Sequence, residues 1–168
     1  MWIFGYGSLI WKTGFDYEVR EPAWIKGWSR RFCQASPDHR GTPEYPGRVV
    51  TLISAPEDIC YGVAYRLPLH QLDQIVEELD YREKNGYERI SIDIHFKDRT
   101  EAGIVYHADE NNPSFILEES LQQIAERIMK SHGPSGSNVE YLLELHSALK
   151  AHGIEDQHVG QLAALVEN

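Results

Sequence analysis

Two short stretches of the 168-residue chain carry residue types at spacings that can do chemistry. The first is Gly5-Tyr6-Gly7-Ser8-Leu9-Ile10, directly after the apolar run Trp2-Ile3-Phe4. A glycine-rich turn at the end of a strand lets successive backbone N–H groups converge and form a small anion-binding concavity. The same residues also describe an ordinary tight turn. Aromatic and aliphatic neighbours would make it a walled pocket rather than a solvated bend. The second stretch is Leu79-Asp80-Tyr81-Arg82-Glu83-Lys84-Asn85-Gly86-Tyr87. Asn85-Gly86 is a helix stop, because both residues tolerate the left-handed backbone. Glu83 then falls in the last helical turn, where a carboxylate facing the negative dipole end is destabilised by about 0.3–1 kcal/mol. That placement raises a carboxylate pKa from its usual value of about 4.3, toward what a general acid/base needs near neutral pH. The competing reading is a solvated Glu83 paired with Arg82 or Lys84, and spacing alone favours it.

Other chemistries lack their residues. Ile10 stands where the third glycine of a dinucleotide fingerprint belongs, and no phosphate-loop Gly-Lys-Ser/Thr occurs. Ser8 is not set in Gly-x-Ser-x-Gly, so no nucleophile elbow is supported. His146, His152 and His158 lie six apart, which turns successive side chains away from one helix face and suits hydrogen bonding or solvation rather than a metal. Cys33 and Cys60 have no CxxC partner and suit core filling in a reducing compartment. An enzyme of this sequence is expected to use no cofactor, metal or protein nucleophile.

The elements that must position these residues follow from periodicity. Trp2 to Gly5 reads as a buried strand, and Trp24 to Phe32 as containing a second. Ser36 to Gly47, with three prolines, reads as a long surface loop whose length suits a lid. Arg48–Ser54 and Tyr61–Leu67 read as a hairpin across Ala55-Pro56-Glu57-Asp58. From Pro68 the apolar positions Leu69, Leu72, Ile75, Val76 and Leu79 fall at helical spacing. Ile90, Ile92, Ile94 and Phe96 alternate as a strand, with Gly103–His107 as its hairpin partner. Leu117, Leu121, Ile124, Ala125 and Ile128 predict one helix. Tyr141, Leu142, Leu145 and Leu149 predict another, capped by Ser137 or Asn138. A last weak helix spans about 155–166. Strands first and helices last predict an α+β fold on a mostly antiparallel sheet, in a single domain over residues 1–168.

Composition narrows the partners. Sixteen basic against 26 acidic residues leave a formal charge of −10, which disfavours nucleic acid. No apolar run approaches the ~20 residues of a membrane span, and no signal peptide is apparent. A soluble, cytoplasmic protein of undetermined oligomeric state is expected.

The sequence resembles the ChaC-like, glutathione-specific gamma-glutamylcyclotransferases. The resemblance lies in Phe-Gly-Tyr-Gly-Ser-Leu-Ile-Trp at 4–11, Ser-Arg-Arg-Phe at 29–32, Asp-His-Arg-Gly at 38–41 and Pro-Gly-Arg-Val-Val-Thr-Leu at 46–52. It continues in Gly-Val-Ala-Tyr-Arg-Leu-Pro at 62–68, Arg-Glu-Lys-Asn-Gly-Tyr at 82–87, Gly-Pro-Ser-Gly at 133–136 and Asn-x-Glu-Tyr-Leu at 138–142. Asn85 departs from the family's frequent glycine, and nothing after Leu149 matches a motif. The resemblance implies a small barrel-like, mostly antiparallel sheet with surrounding helices and a pocket at its mouth. It implies cleavage of glutathione to 5-oxoproline and cysteinylglycine, with Glu83 as catalytic acid/base. Tyr6, Gly7, Ser8 and Leu9 would hold the gamma-glutamyl group by their backbone, and Tyr141 would line the same pocket.

Such a reaction needs no protein nucleophile. The substrate's own α-amine closes a five-membered ring, with effective molarities of up to ~10⁵–10⁸ M for a well-aligned group. Arg31, Arg40, Arg48 and Lys84 are candidates for the glycine-end carboxylate, or for surface ion pairs alone. Two other readings stand beside this one: a cyclotransferase for other gamma-glutamyl amines or amino acids, and a non-catalytic gamma-glutamyl-binding module.

Overall fold

The apolar run Trp2–Gly5 forms β1, buried at every residue. In the computed structural model, which describes residues 1–168, it is joined by β2 (Val19–Ser36), β3 (Gly47–Arg66), β4 (Glu88–His95) and β5 (Thr100–His107). These close into a five-stranded barrel in the order β1-β3-β2-β4-β5. The β1–β5 pair is parallel, while β1–β3, β2–β4 and β4–β5 are antiparallel. Closure leaves no exposed sheet edge. Four helices, α1 (Leu72–Arg82), α2 (Leu121–Lys130), α3 (Asn138–Ala151) and α4 (Gln157–Glu167), complete the α+β fold that the order of the elements predicts. A two-residue ladder of β6 (His132–Gly133) and β7 (Gly136–Ser137) lies between α2 and α3 in sequence.

The chain divides into two compact units, each made of two separate stretches: Met1–Ser29 with Leu52–Asp109, and Arg30–Thr51 with Glu110–Asn168. In the first, Ile3, Ile25, Val63, Ile94 and Val105 are fully buried. Gly103 allows β5 to approach β1, since a Cβ there would press on the Trp2 carbonyl oxygen. The expected hairpin across residues 55–58 does not form; β3 is one strand of 20 residues with 56–59 exposed. No residue of β3 takes a positive φ, and the strand continues through 55–58 without a reversal. Leu69, expected on the buried face of the helix, lies instead in a 3₁₀ turn and is 80% exposed; α1 buries Ile75 and Leu79.

The second unit is organised by caps. Ser120 accepts a hydrogen bond from the Gln123 N–H in a full capping box and starts α2. The Ser137 hydroxyl accepts from the Glu140 N–H at 3.1 Å and starts α3, while Asp156 caps α4 through the Val159 N–H at 3.0 Å. Leu117 stays outside α2 and exposed. The apolar faces of the three helices bury Ile124, Ile128, Leu142, Leu145, Leu149, Val159 and Leu162. The start of α4 is tied to β2 twice. Arg30 pairs with Asp156 at 2.7 Å, and the Phe32 N–H donates to His158 Nε2 at 3.0 Å.

The loop between β2 and β3 is pinned. Its glycines Gly41 and Gly47 meet each other, and a Cβ on Gly133 would strike the His39 carbonyl oxygen and Gly41. The Ser135 N–H donates to the His39 carbonyl at 2.9 Å, and Arg40 donates to the Ser137 carbonyl at 3.1 Å. Asn138 donates to the Arg48 carbonyl at 2.8 Å and accepts from its N–H at 2.7 Å. The segments at 38–41, 46–52 and 133–138 therefore form one backbone junction rather than a free lid.

Candidate active site

The turn after β1 tightens into a 3₁₀ helix over Ser8–Ile10, with Ile10 N–H donating to the Gly7 carbonyl at 2.9 Å. No side chain caps it, and the first N–H groups of a helical turn have no partner within the turn. Tyr65 holds the turn from β3: its hydroxyl donates to the Leu9 carbonyl at 2.6 Å, and burial pushes its pKa up to about 12. Gly5 leaves room for Leu9, whose Cβ a side chain at position 5 would meet at 3.1 Å. Tyr6, Leu9 and Ile10 are buried, and Ser8 is half-buried. The turn is therefore walled by apolar and aromatic side chains.

Glu83 is the C-cap of α1, its N–H donating to the Leu79 carbonyl at 2.9 Å, and Gly86 leaves the helix at φ 101°. The Glu83 side chain is 21% exposed, so it is sheltered from bulk solvent, with one oxygen 3.7 Å from Arg82 Nε. Arg82 also donates to the Thr13 carbonyl at 3.0 Å, tying the end of α1 to the chain just beyond the turn.

Tyr106 on β5 joins the two stretches. Its backbone carbonyl accepts the Tyr6 hydroxyl at 2.6 Å, and its own hydroxyl donates to Asp80 Oδ1 on α1 at 2.6 Å. Burial foremost, then the Asp80 hydrogen bond, raises its pKa, and the negative charge of Glu83 adds to the effect. Tyr106 therefore ties the turn to α1 at Asp80, three residues before Glu83. Tyr65, Tyr106 and Asp80 escape sequence reasoning because nothing in their local spacing marks them.

Tyr141 lies in the second unit, in the first turn of α3, and is 7% exposed. Its hydroxyl accepts from the Val50 N–H at 3.3 Å, Phe32 packs edge-on at 5.9 Å, and the Arg40 guanidinium lies 5.6 Å above its ring. The candidate cations are all engaged. Arg40 pairs with Glu140 at 3.2 Å, Arg48 pairs with Glu119 at 2.8 Å, Arg31 donates to the Arg30 carbonyl at 2.7 Å, and Lys84 sits 3.9 Å over the Tyr81 ring. Cys33 and Cys60 are buried and form no disulfide, and burial pushes the Cys33 thiol up to about 12, outside the reactive range. No helix is long and apolar enough to cross a membrane.

A closed five-stranded barrel with a glycine turn leaving its first strand is the architecture of a solved yeast protein. The crystal structure described as a gamma-glutamyl cyclotransferase specific to glutathione superposes with a TM-score of 0.92 at 33% identity, covering 99% of this chain and 95% of the other. The family model described as ChaC-like protein matches residues 1–168, and the chain belongs to that family. Gamma-glutamylcyclotransferase 2-3 of Arabidopsis thaliana is 43% identical, over 100% of this chain and 89% of its own length. Glutathione-specific gamma-glutamylcyclotransferase of Schizosaccharomyces pombe is 38% identical over 99% of this chain and 92% of its own. The human glutathione-specific gamma-glutamylcyclotransferase 1 is 36% identical over 99% and 77%.

Proposed function

We propose that this protein is a glutathione-specific gamma-glutamylcyclotransferase that releases 5-oxoproline and cysteinylglycine, with Glu83 as general acid/base. The observation that carries the reading is the sheltered Glu83 carboxylate at the end of α1, a helix that Tyr106 joins through Asp80 to the turn bearing Tyr6. In this mechanism the uncapped N–H groups of the Gly7–Leu9 turn hold the α-carboxylate of the substrate. Glu83 takes a proton from the α-ammonium, and the freed amine attacks the side-chain amide carbonyl. A new C–N bond closes the five-membered ring. The old C–N bond breaks as Glu83 returns that proton to the leaving cysteinyl nitrogen; the ring nitrogen sheds its second proton in turn, so 5-oxoproline keeps one N–H and cysteinylglycine leaves as its ammonium. No water is consumed. Tyr141 serves as a second substrate-binding residue on the strength of the family resemblance. Two buried cysteines that form no disulfide suit a reducing compartment, and we place the activity in the cytoplasm.

The test is incubation of the wild type and Glu83→Gln with glutathione, followed by mass detection of both products. The amide keeps the size of the side chain and loses its proton chemistry, so turnover falls by ~10²-fold or more while the thermal midpoint holds. Near-normal release of 5-oxoproline by Glu83→Gln overturns the assignment. The Arabidopsis relative's printed name does not specify glutathione, which keeps other gamma-glutamyl amines in play as substrates. Comparing glutathione with gamma-glutamyl dipeptides that lack its glycine separates the two.

A further inference from the structure

We propose that Tyr106 and Asp80 are positioning residues for the cyclisation, holding the Glu83 end of α1 at a fixed separation from the Tyr6–Leu9 turn. The inference rests on Glu83 being the acid/base. The last turn of a helix has unsatisfied carbonyls and frays unless something outside the helix holds it. Glu83 sits at that position, and the backbone turns left-handed three residues later at Gly86. Its side chain therefore needs external support to be placed reproducibly.

Arg82 gives one hold through the Thr13 carbonyl, and β5 gives the one that reaches both the turn and α1. Tyr106 is 5% exposed and is fixed in the barrel opposite Arg89 of β4. It reaches the turn by its backbone carbonyl and α1 by its side chain, both at 2.6 Å. Asp80 lies three residues before Glu83, on the same helix face, so fixing one orients the other. Arg89 holds the second Asp80 oxygen at 3.3 Å, which leaves Oδ1 aimed at Tyr106. The two contacts of Tyr106 use different atoms, so a substitution can break one and keep the other.

Tyr106→Phe removes the hydroxyl and leaves the carbonyl that holds Tyr6. Asp80→Ala removes the acceptor, whereas Asp80→Asn retains an oxygen at the same place. Steady-state kinetics on glutathione and thermal melts are measured for all three variants. Tyr106→Phe and Asp80→Ala are expected to lower kcat by ~10-fold or more, since misplacement of a reacting group by about 1 Å can cost 10²-fold. KM stays within about twofold, because the turn that binds the gamma-glutamyl group is untouched. Asp80→Asn recovers most of kcat. A purely structural bond would instead lower the thermal midpoint and leave kcat alone, and that result overturns the proposal. So does a rise in KM at constant kcat, or an Asp80→Asn variant as slow as Asp80→Ala. If Tyr106→Phe unfolds, the two Asp80 variants decide the matter by themselves. Inactivity of the wild type, or activity of Glu83→Gln, is the separate outcome that removes the underlying reading.

Discussion

At the scale of single residues, the site depends on hydroxyls that bond to backbone carbonyls far away in sequence. Tyr65 is 1% exposed and reaches Leu9 across 56 positions; Tyr6 reaches Tyr106 across 100. Tyr65→Phe leaves the Leu9 carbonyl short of its donor inside the protein, at a cost of about 1–2 kcal/mol. It also loosens the turn proposed to hold the substrate. Calorimetry and steady-state kinetics should show a lower thermal midpoint together with a raised KM for glutathione. The place of Glu83 at the end of α1 was legible because a helix stop is a local feature, whereas its proposed role came only from the family resemblance. Asp80 and Tyr106 were not, because 26 positions separate them and their relation exists only once α1 lies against β5.

At the scale of elements, caps set where helices begin. Ser137 starts α3 at the place the sequence predicts, and its hydroxyl bonds the Glu140 N–H. Ser137→Ala should therefore cost ~1 kcal/mol, within the 0.5–2 kcal/mol range of such substitutions, measured as a shift of the denaturation midpoint at unchanged slope. Strands were less faithful to their local pattern. Residues 55–58 carry turn-forming composition, yet β3 continues through them as one strand. Three of the family-like segments, at 38–41, 46–52 and 133–136, converge on a junction where glycines meet backbone with no room for a Cβ. Their composition answers to that packing, and the loop they bound is held rather than hinged.

At the scale of the whole molecule, pH acts through groups that folding keeps neutral. His158 accepts the Phe32 N–H, and its pKa is lowered to about 4, chiefly by burial and next by Arg31. In the unfolded chain a histidine titrates near 6.5, so between these values only the unfolded state binds the proton. The stability this group contributes is complete above about pH 6.5 and declines as pH falls toward 4, by about 3 kcal/mol at most. His158→Gln offers an oxygen acceptor that does not titrate in this range. The wild type should melt higher than His158→Gln at pH 7.5, and that advantage should shrink by pH 4.5. A constant difference across the range would show that His158 does not titrate through folding.

The sequence alone determined what depends on neighbours along the chain: the buried first strand, the glycine turn, the helices with the cap of α3, and an acidic residue at a helix end. Only the tertiary structure decided that β5 would lie parallel to β1. That closure brings one tyrosine within hydrogen-bond reach of both the turn and the helix carrying Glu83. Pairing between strands about 100 residues apart is selected by the fit of the whole barrel, and no local periodicity records it.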